Sequence, residues 1–132
     1  MPRDLTNKRP TILVVDDEYA IRILLKTFLE SHDYEVHCAE DAEAALELSR
    51  HHRPDLIISD IMMPSESGIS IVSKIRAFSP GVKVIYLSAW ADEAETEIIL
   101  KHERQEHPEC RIVQKPFQLD IFLKTIDDCL RG

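Results

Sequence analysis

The chain reads as an α/β protein, a doubly wound five-stranded parallel sheet made of five consecutive βα units. Three observations predict this. Short apolar runs without polar alternation recur along the chain, as expected of parallel strands covered on both faces. Between them the apolar residues fall three or four apart, the spacing of helices lying on a sheet. The alternation repeats five times within 132 residues, which fits one domain closed by right-handed crossovers.

Residues 1–9 are polar and are expected to form a flexible N-terminal arm, with the domain spanning 10–132. Thr11-Ile12-Leu13-Val14-Val15 reads as the first strand and runs into Asp16 and Asp17. Ile21, Leu24, Leu25, Phe28 and Leu29 mark one face of the first helix. Glu35 to Ala39 is a short strand, and Asp41 is suited to cap a helix carrying Ala42, Ala45, Leu46 and Ser49. Pro54 precedes the central strand, Leu56-Ile57-Ile58-Ser59-Asp60, and Pro64 bars the ladder from continuing. Ser65 to Gly68 is a turn, and Ile69, Val72 and Ile75 lie along the third helix. Pro80-Gly81 breaks that helix. Val82 to Leu87 is the fourth strand, ending at Ser88. A polar helix follows from about Ala91, acidic early and basic late as the helix dipole favours, with Ile98 and Ile99 as its expected anchors. Arg111 to Gln114 is a fifth strand leading to Lys115-Pro116. The last helix presents Leu119, Phe122, Leu123, Ile126 and Leu130; Phe117, Phe122 and Ile126 are expected to be core, with some partner surface.

Composition narrows the function. The net charge of −8 opposes general binding to nucleic acid or to an anionic membrane, since phosphate contacts need clustered Lys and Arg. No apolar run reaches membrane-spanning length, and the N-terminus lacks the apolar core of a signal peptide. Cys38, Cys110 and Cys129 are odd in number and widely spaced, which points to reduced thiols and a cytoplasmic setting. The six histidines show no ligand spacing, and His51-His52 reads as a helix end. Nothing follows the fifth helix, so no attached output domain is expected within this stretch.

The chemistry gathers at the strand ends. Asp16 and Asp17, Asp60, Ser88 and Lys115 close four of the five strands, and open α/β sheets bind ligands at that rim. Carboxylates ~4 Å apart repel by about 4 kcal/mol per pair at an effective dielectric near 20, so they take up a proton or hold a cation. Hard oxygen ligands favour Mg²⁺, which completes its shell with water and a phosphate oxygen. Lys115 adds a point charge for phosphate and Ser88 a hydroxyl. Together these make a phosphoryl-accepting site with Asp60 as nucleophile.

Val14-Val15-Asp16-Asp17-Glu18, the Asp60…Met63-Pro64…Gly68 stretch, Leu87-Ser88-Ala89 and Lys115-Pro116-Phe117 occur in this order. With them the chain, over about residues 10–131, resembles the receiver domain of two-component response regulators. The resemblance implies the flavodoxin-like strand order 2-1-3-4-5. It implies that Asp60 takes a phosphoryl group from a phosphohistidine on a sensor histidine kinase or histidine phosphotransfer protein. It implies that Asp17 ligates Mg²⁺ directly, Asp16 mainly through water, and Met62 through its backbone carbonyl. Lys115 would pair with Asp60 and then with the phosphoryl oxygens; Ser88 would turn inward to the phosphoryl group, helped by the Ala89 N–H. The Lys115-Pro116 bond is expected to be cis. Such a protein catalyses only its own phosphorylation and dephosphorylation, and acts on a downstream protein, an output domain or a second copy of itself.

Two departures from that family bear on output, and two residues beside the site bear on its lifetime. Ile112 stands three positions before Lys115, where an aromatic residue is usual. The segment from Ser88 to Lys115 is long and carries His107-Pro108-Glu109-Cys110 instead of a small Gly-Ala turn. Met62 and Trp90 are bulky and apolar beside the site; they would keep water from the acyl phosphate, or Trp90 would serve as a docking aromatic. The leading reading is a phosphorylatable receiver, free-standing or cut from a longer regulator; other readings are a receiver-like docking module that does not switch, a haloacid-dehalogenase-type phosphatase and a flavodoxin. The phosphatase expects Asp-x-Asp on the first strand, whereas Asp16 and Asp17 are adjacent. The flavodoxin needs a Ser/Thr/Gly-rich phosphate loop where this chain has Asp-Asp-Glu.

Overall fold

A computed structural model describes residues 9–89 and 93–131. Its elements alternate strictly: β1 (Thr11–Val15), α1 (Tyr19–Glu30), β2 (Glu35–Ala39), α2 (Ala42–His52), β3 (Leu56–Asp60), α3 (Gly68–Arg76), β4 (Lys83–Ser88), α4 (Glu93–Glu106), β5 (Arg111–Gln114) and α5 (Leu119–Arg131). All strand pairs are parallel, and the sheet order is β2-β1-β3-β4-β5. This is the expected doubly wound fold.

The unbroken apolar runs have their reason in two cores. Ile12, Val14, Ile58, Ile85 and Leu87 face α1 and α5, packing with Leu25, Leu29, Phe122 and Ile126. Leu13, Val15, Ile57, Val84 and Tyr86 face the other way, against Ala45 of α2, Ile71, Val72 and Ile75 of α3, and Leu100 of α4. Successive strand residues point to opposite faces, so a strand covered on both sides has no polar alternation to show.

Local chemistry sets the helix starts. Asp41 caps α2, its carboxylate accepting from the Ala44 N–H at 2.9 Å. Ser67 does the same for α3, accepting from the Ser70 N–H at 3.1 Å. Each satisfies a donor that the first helical turn leaves open.

Four expectations shift. Leu24 is 42% exposed, and Leu25 and Leu29 hold α1 to the sheet. Ile71, not Ile69, joins Val72 and Ile75 as the buried face of α3. Val82 precedes β4, which begins at Lys83. Ile98 is 74% exposed, and Leu100, with the buried Glu103 one turn later, docks α4. Ile98 and Leu100 lie on different faces of α4, so a short apolar run does not reveal which of its members points inward; the side chain of Ile99 lies outside the described residues. Trp90, Ala91 and most of the arm lie outside the described residues. No described helix is long and apolar enough to cross a membrane.

Candidate functional site

Asp60 ends β3, Asp16 follows β1 and Lys115 follows β5, so the sheet brings all three to its carboxyl rim. β1 and β3 are adjacent, and β4 lies between β3 and β5. Lys115 therefore reaches across, guided by its backbone N–H, which donates to the Ser88 carbonyl at 2.8 Å. The Lys115-Pro116 bond is cis, as expected.

Lys115 Nζ donates to Asp16 Oδ2 at 3.0 Å, to Asp60 Oδ2 at 3.0 Å and to Glu18 Oε1 at 3.3 Å. Burial pulls its pKa down, but the hydrogen bonds that it donates to Asp60 and Asp16, with the charges of those carboxylates, outweigh that and hold it above the usual lysine range. Asp16 is fully buried. Burial raises its pKa, the Asp60 charge adds to the rise, and the Glu18 N–H and Lys115 oppose it. Asp16 is held in place from three sides: its N–H donates to the Ala39 carbonyl at 3.1 Å, its Oδ1 accepts from the Glu18 N–H at 2.9 Å, and its carbonyl accepts from Arg22 Nη1 at 2.9 Å.

Asp60 is 7% exposed. Its Oδ1 accepts from the Met62 N–H at 3.1 Å, and its Oδ2 from Lys115. Each carboxylate oxygen thus keeps lone-pair capacity for another partner. Ligand oxygens of Asp16, Asp17 and Asp60 all lie within 4.8 Å of one another, with Asp17 exposed to solvent. Lys115 pairs with Asp16, Asp60 and Glu18, and Asp17 adds a further carboxylate to the cluster. The excess of negative charge and the all-oxygen donor set fit a hard divalent cation such as Mg²⁺. Among the described residues, Asp16, Asp17 and Asp60 are the residues of this rim placed to hold it.

The sequence-selected residues are not all in one place. Asp16, Asp17, Asp60, Lys115 and Met62 converge. Ser88 lies on β4, one residue past Leu87, the register partner of Asp60. It lines a groove of about 920 Å³ with Ile112, Gln114, Leu100, Lys101 and Arg104. Met62 is 40% exposed. The roles of Trp90 fall outside the described residues. Glu18, which ties itself to both Asp16 and Lys115, is an addition: its place directly after Asp17 was the signal. Tyr86 is a second. It is the register partner of Ile112 and is buried on the same face of the sheet, so the aromatic missing from β5 has a counterpart one strand inward.

The model of the response regulator receiver domain family matches residues 12–127. The chain is 31% identical over 109 residues to sporulation initiation phosphotransferase F of Bacillus subtilis, covering 83% of this chain and 84% of that protein. It is 32% identical over 125 residues to histidine kinase P4 of Formosa agariphila, covering 95% of this chain but only 9% of that one. It spans about half the length of the response regulator MprA of Mycobacterium sp. (strain KMS), at 31% identity over 120 residues and 91% of this chain. Among solved structures, the chemotaxis protein CheY4 of Vibrio cholerae superposes with a TM-score of 0.79 at 29% identity, covering 92% of this chain and 99% of that one. A CheY-like receiver domain protein of Methanospirillum hungatei does so with a TM-score of 0.80 at 27% identity, over 94% and 95% of the two chains. None of these matches favours the phosphatase, flavodoxin or docking-module readings.

Proposed function

Since the chain belongs to the response regulator receiver family of two-component signalling, we propose that Asp60 is its phosphoryl acceptor and that Asp16, Asp17 and Lys115 make the transfer possible. An Asp60 carboxylate oxygen attacks the phosphorus of a phosphohistidine. The P–N bond breaks, and its electron pair returns to the donor imidazole. The product is an acyl phosphate on Asp60. The donor is a sensor histidine kinase or a histidine phosphotransfer protein.

The observation that carries this reading is the grip on Asp60. Its two oxygens are held by different donors, the Met62 N–H and Lys115 Nζ. That fixes the carboxylate's orientation before any phosphate arrives, and pre-set geometry lowers the barrier to a group transfer. Lys115 reaches Asp60 Oδ2 in the free protein and can follow the phosphoryl oxygens afterwards, as a flexible ammonium can. Asp17, Asp16 and the Met62 carbonyl would hold Mg²⁺, which supplies charge neutralisation for the incoming phosphoryl group. Ser88 and the Ala89 N–H would receive that group from the β4 side. Phosphoryl arrival at Ser88 would be felt in the groove it shares with Ile112, and an output domain, a downstream protein or a second copy would read the change there. Self-dephosphorylation completes the cycle; Met62 and Trp90 would slow it by hindering water.

The test is acetyl phosphate with Mg²⁺, followed by intact mass. The wild type gains one phosphoryl group, and neither Asp60→Asn nor an EDTA-treated sample does. Equal labelling of Asp60→Asn would overturn the assignment. Timing the loss of the label in Met62→Ser and Trp90→Ser variants checks the hindrance role, since an unchanged lifetime in both removes it.

A further inference from the structure

Two of the six histidines meet away from the carboxyl rim. His37 lies on β2, the edge strand, in register with Leu13. His52 is the last residue of α2, which packs on the same face. Their rings are stacked, with centroids 3.6 Å apart and planes 16° apart. Glu35, two residues before His37 and so on the same face of the strand, sets Oε2 2.8 Å from His37 Nε2. One ligand atom from each of Glu35, His37 and His52 lies within 4.8 Å of the other two. Glu35 and His52 are exposed and His37 is partly buried, so an ion can enter from solvent.

The donor set is unlike that around Asp60. Two imidazoles and one carboxylate suit zinc and its transition-metal neighbours, whereas Mg²⁺ prefers oxygen alone. Zinc accepts three protein ligands with water in a fourth position. With metal–ligand distances of about 2.0–2.2 Å, tetrahedral ligand atoms sit roughly 3.4 Å apart. Stacked rings hold their in-plane lone pairs parallel, so the rings must turn to converge on one ion, and His52, exposed at a helix end, is the one free to turn. Position also separates the two clusters. Glu35 is in register with Thr11 at the start of β1, while Asp16 follows the end of that strand.

We propose that Glu35, His37 and His52 form a zinc-class transition-metal site that ties the end of α2 to the edge strand β2. The spacing of fifteen residues between the histidines carries no ligand signature, because the βα turn between them does the pairing. A bound ion would cross-link the end of α2 to β2 and would cover part of an open sheet edge.

The experiment titrates Zn²⁺ into tag-free, reduced protein with Mg²⁺ in excess, so that the Asp60 cluster is occupied. Calorimetry gives the affinity, and ¹⁵N spectra of the histidine side chains give the ligands. One Zn²⁺ per chain is expected, with the His37 and His52 ring nitrogens shifting. His37→Gln, His52→Gln and Glu35→Gln should each weaken binding about tenfold or more, and Asp60→Asn should leave it unchanged. Because His52 is exposed, its Gln variant should unfold without metal as the wild type does. Three results would each overturn the proposal: no zinc uptake, unmoved imidazole signals, or an affinity unchanged in His52→Gln because the thiols or carboxylates are the ligands.

Discussion

A Cβ on Gly68 would lie 2.0 Å from the Asp60 carbonyl oxygen and 2.6 Å from Ser59 Oγ. Gly68 is there because the start of α3 passes directly against the backbone that carries the acceptor carboxylate. Its N–H donates to the Ile61 carbonyl at 2.8 Å, and Ser59 Oγ donates to the same Asp60 carbonyl at 3.0 Å. Gly68→Ala therefore cannot be absorbed by turning a side chain; the backbone at Asp60 has to move. Overpacking of this kind costs about 1–3 kcal/mol, and misplacing a reacting group by ~1 Å slows it by on the order of 100-fold. Urea unfolding should show the loss, and the acetyl phosphate time course should slow by more than that loss of folded protein explains. A Gly68→Ala variant with wild-type stability and labelling rate would show that the contact is slack. The glycine was legible in the sequence as part of a turn beside Asp60. Its reason was not, because close approach of two backbones is a tertiary fact.

At the scale of the element, α4 is held by a polar clasp. Glu103 is 7% exposed and takes hydrogen bonds from Arg76 Nη1 at 2.7 Å and from the Tyr86 hydroxyl. These three residues come from α4, the end of α3 and the middle of β4. A buried carboxylate is costly unless its partners are in place, so the clasp ties α4 to one position. Arg76→Met should cost about 3–5 kcal/mol, because it leaves the Glu103 charge buried without its cation. Replacing the whole set, Arg76→Met with Tyr86→Phe and Glu103→Leu, should recover most of that loss. Denaturant unfolding of the two variants decides it; a triple variant as unstable as the single one would mean that the charge is not what Arg76 serves. The sequence pointed to Ile98 and Ile99 as the anchors and missed Glu103, since a glutamate in a charged helix looks like any solvated residue until its partners from two other elements are known. Asp41 and the first, second and fifth strands were read at the observed bounds, because their signals are local.

For the whole molecule, several protons are bound more tightly by the folded chain than by the unfolded one. Burial pushes the Tyr86 phenol up, and the Glu103 hydrogen bond and charge push it further. Burial likewise raises the thiols of Cys38, Cys110 and Cys129, and the carboxylates raise Lys115 against the pull of burial. Unfolded, a thiol releases its proton near pH 8.5, a phenol near about 10 and a lysine near about 10.4. Above each of those values the unfolded chain holds fewer protons than the folded one, so stability falls as pH rises. All of this contribution is present below about pH 8. Each group then removes up to about 1.4 kcal/mol per pH unit from its own unfolded value upward. Urea unfolding from pH 8 to 11 should therefore show a decline that starts with the thiols and steepens near pH 10. Cys110→Ala should flatten its beginning. Tyr86→Phe, whatever it does to stability at neutral pH, should flatten the portion above pH 10, because it removes a proton that only the folded chain retains. If the slope above pH 10 is the same in Tyr86→Phe as in the wild type, the phenol titrates alike in both states and Glu103 does not hold it.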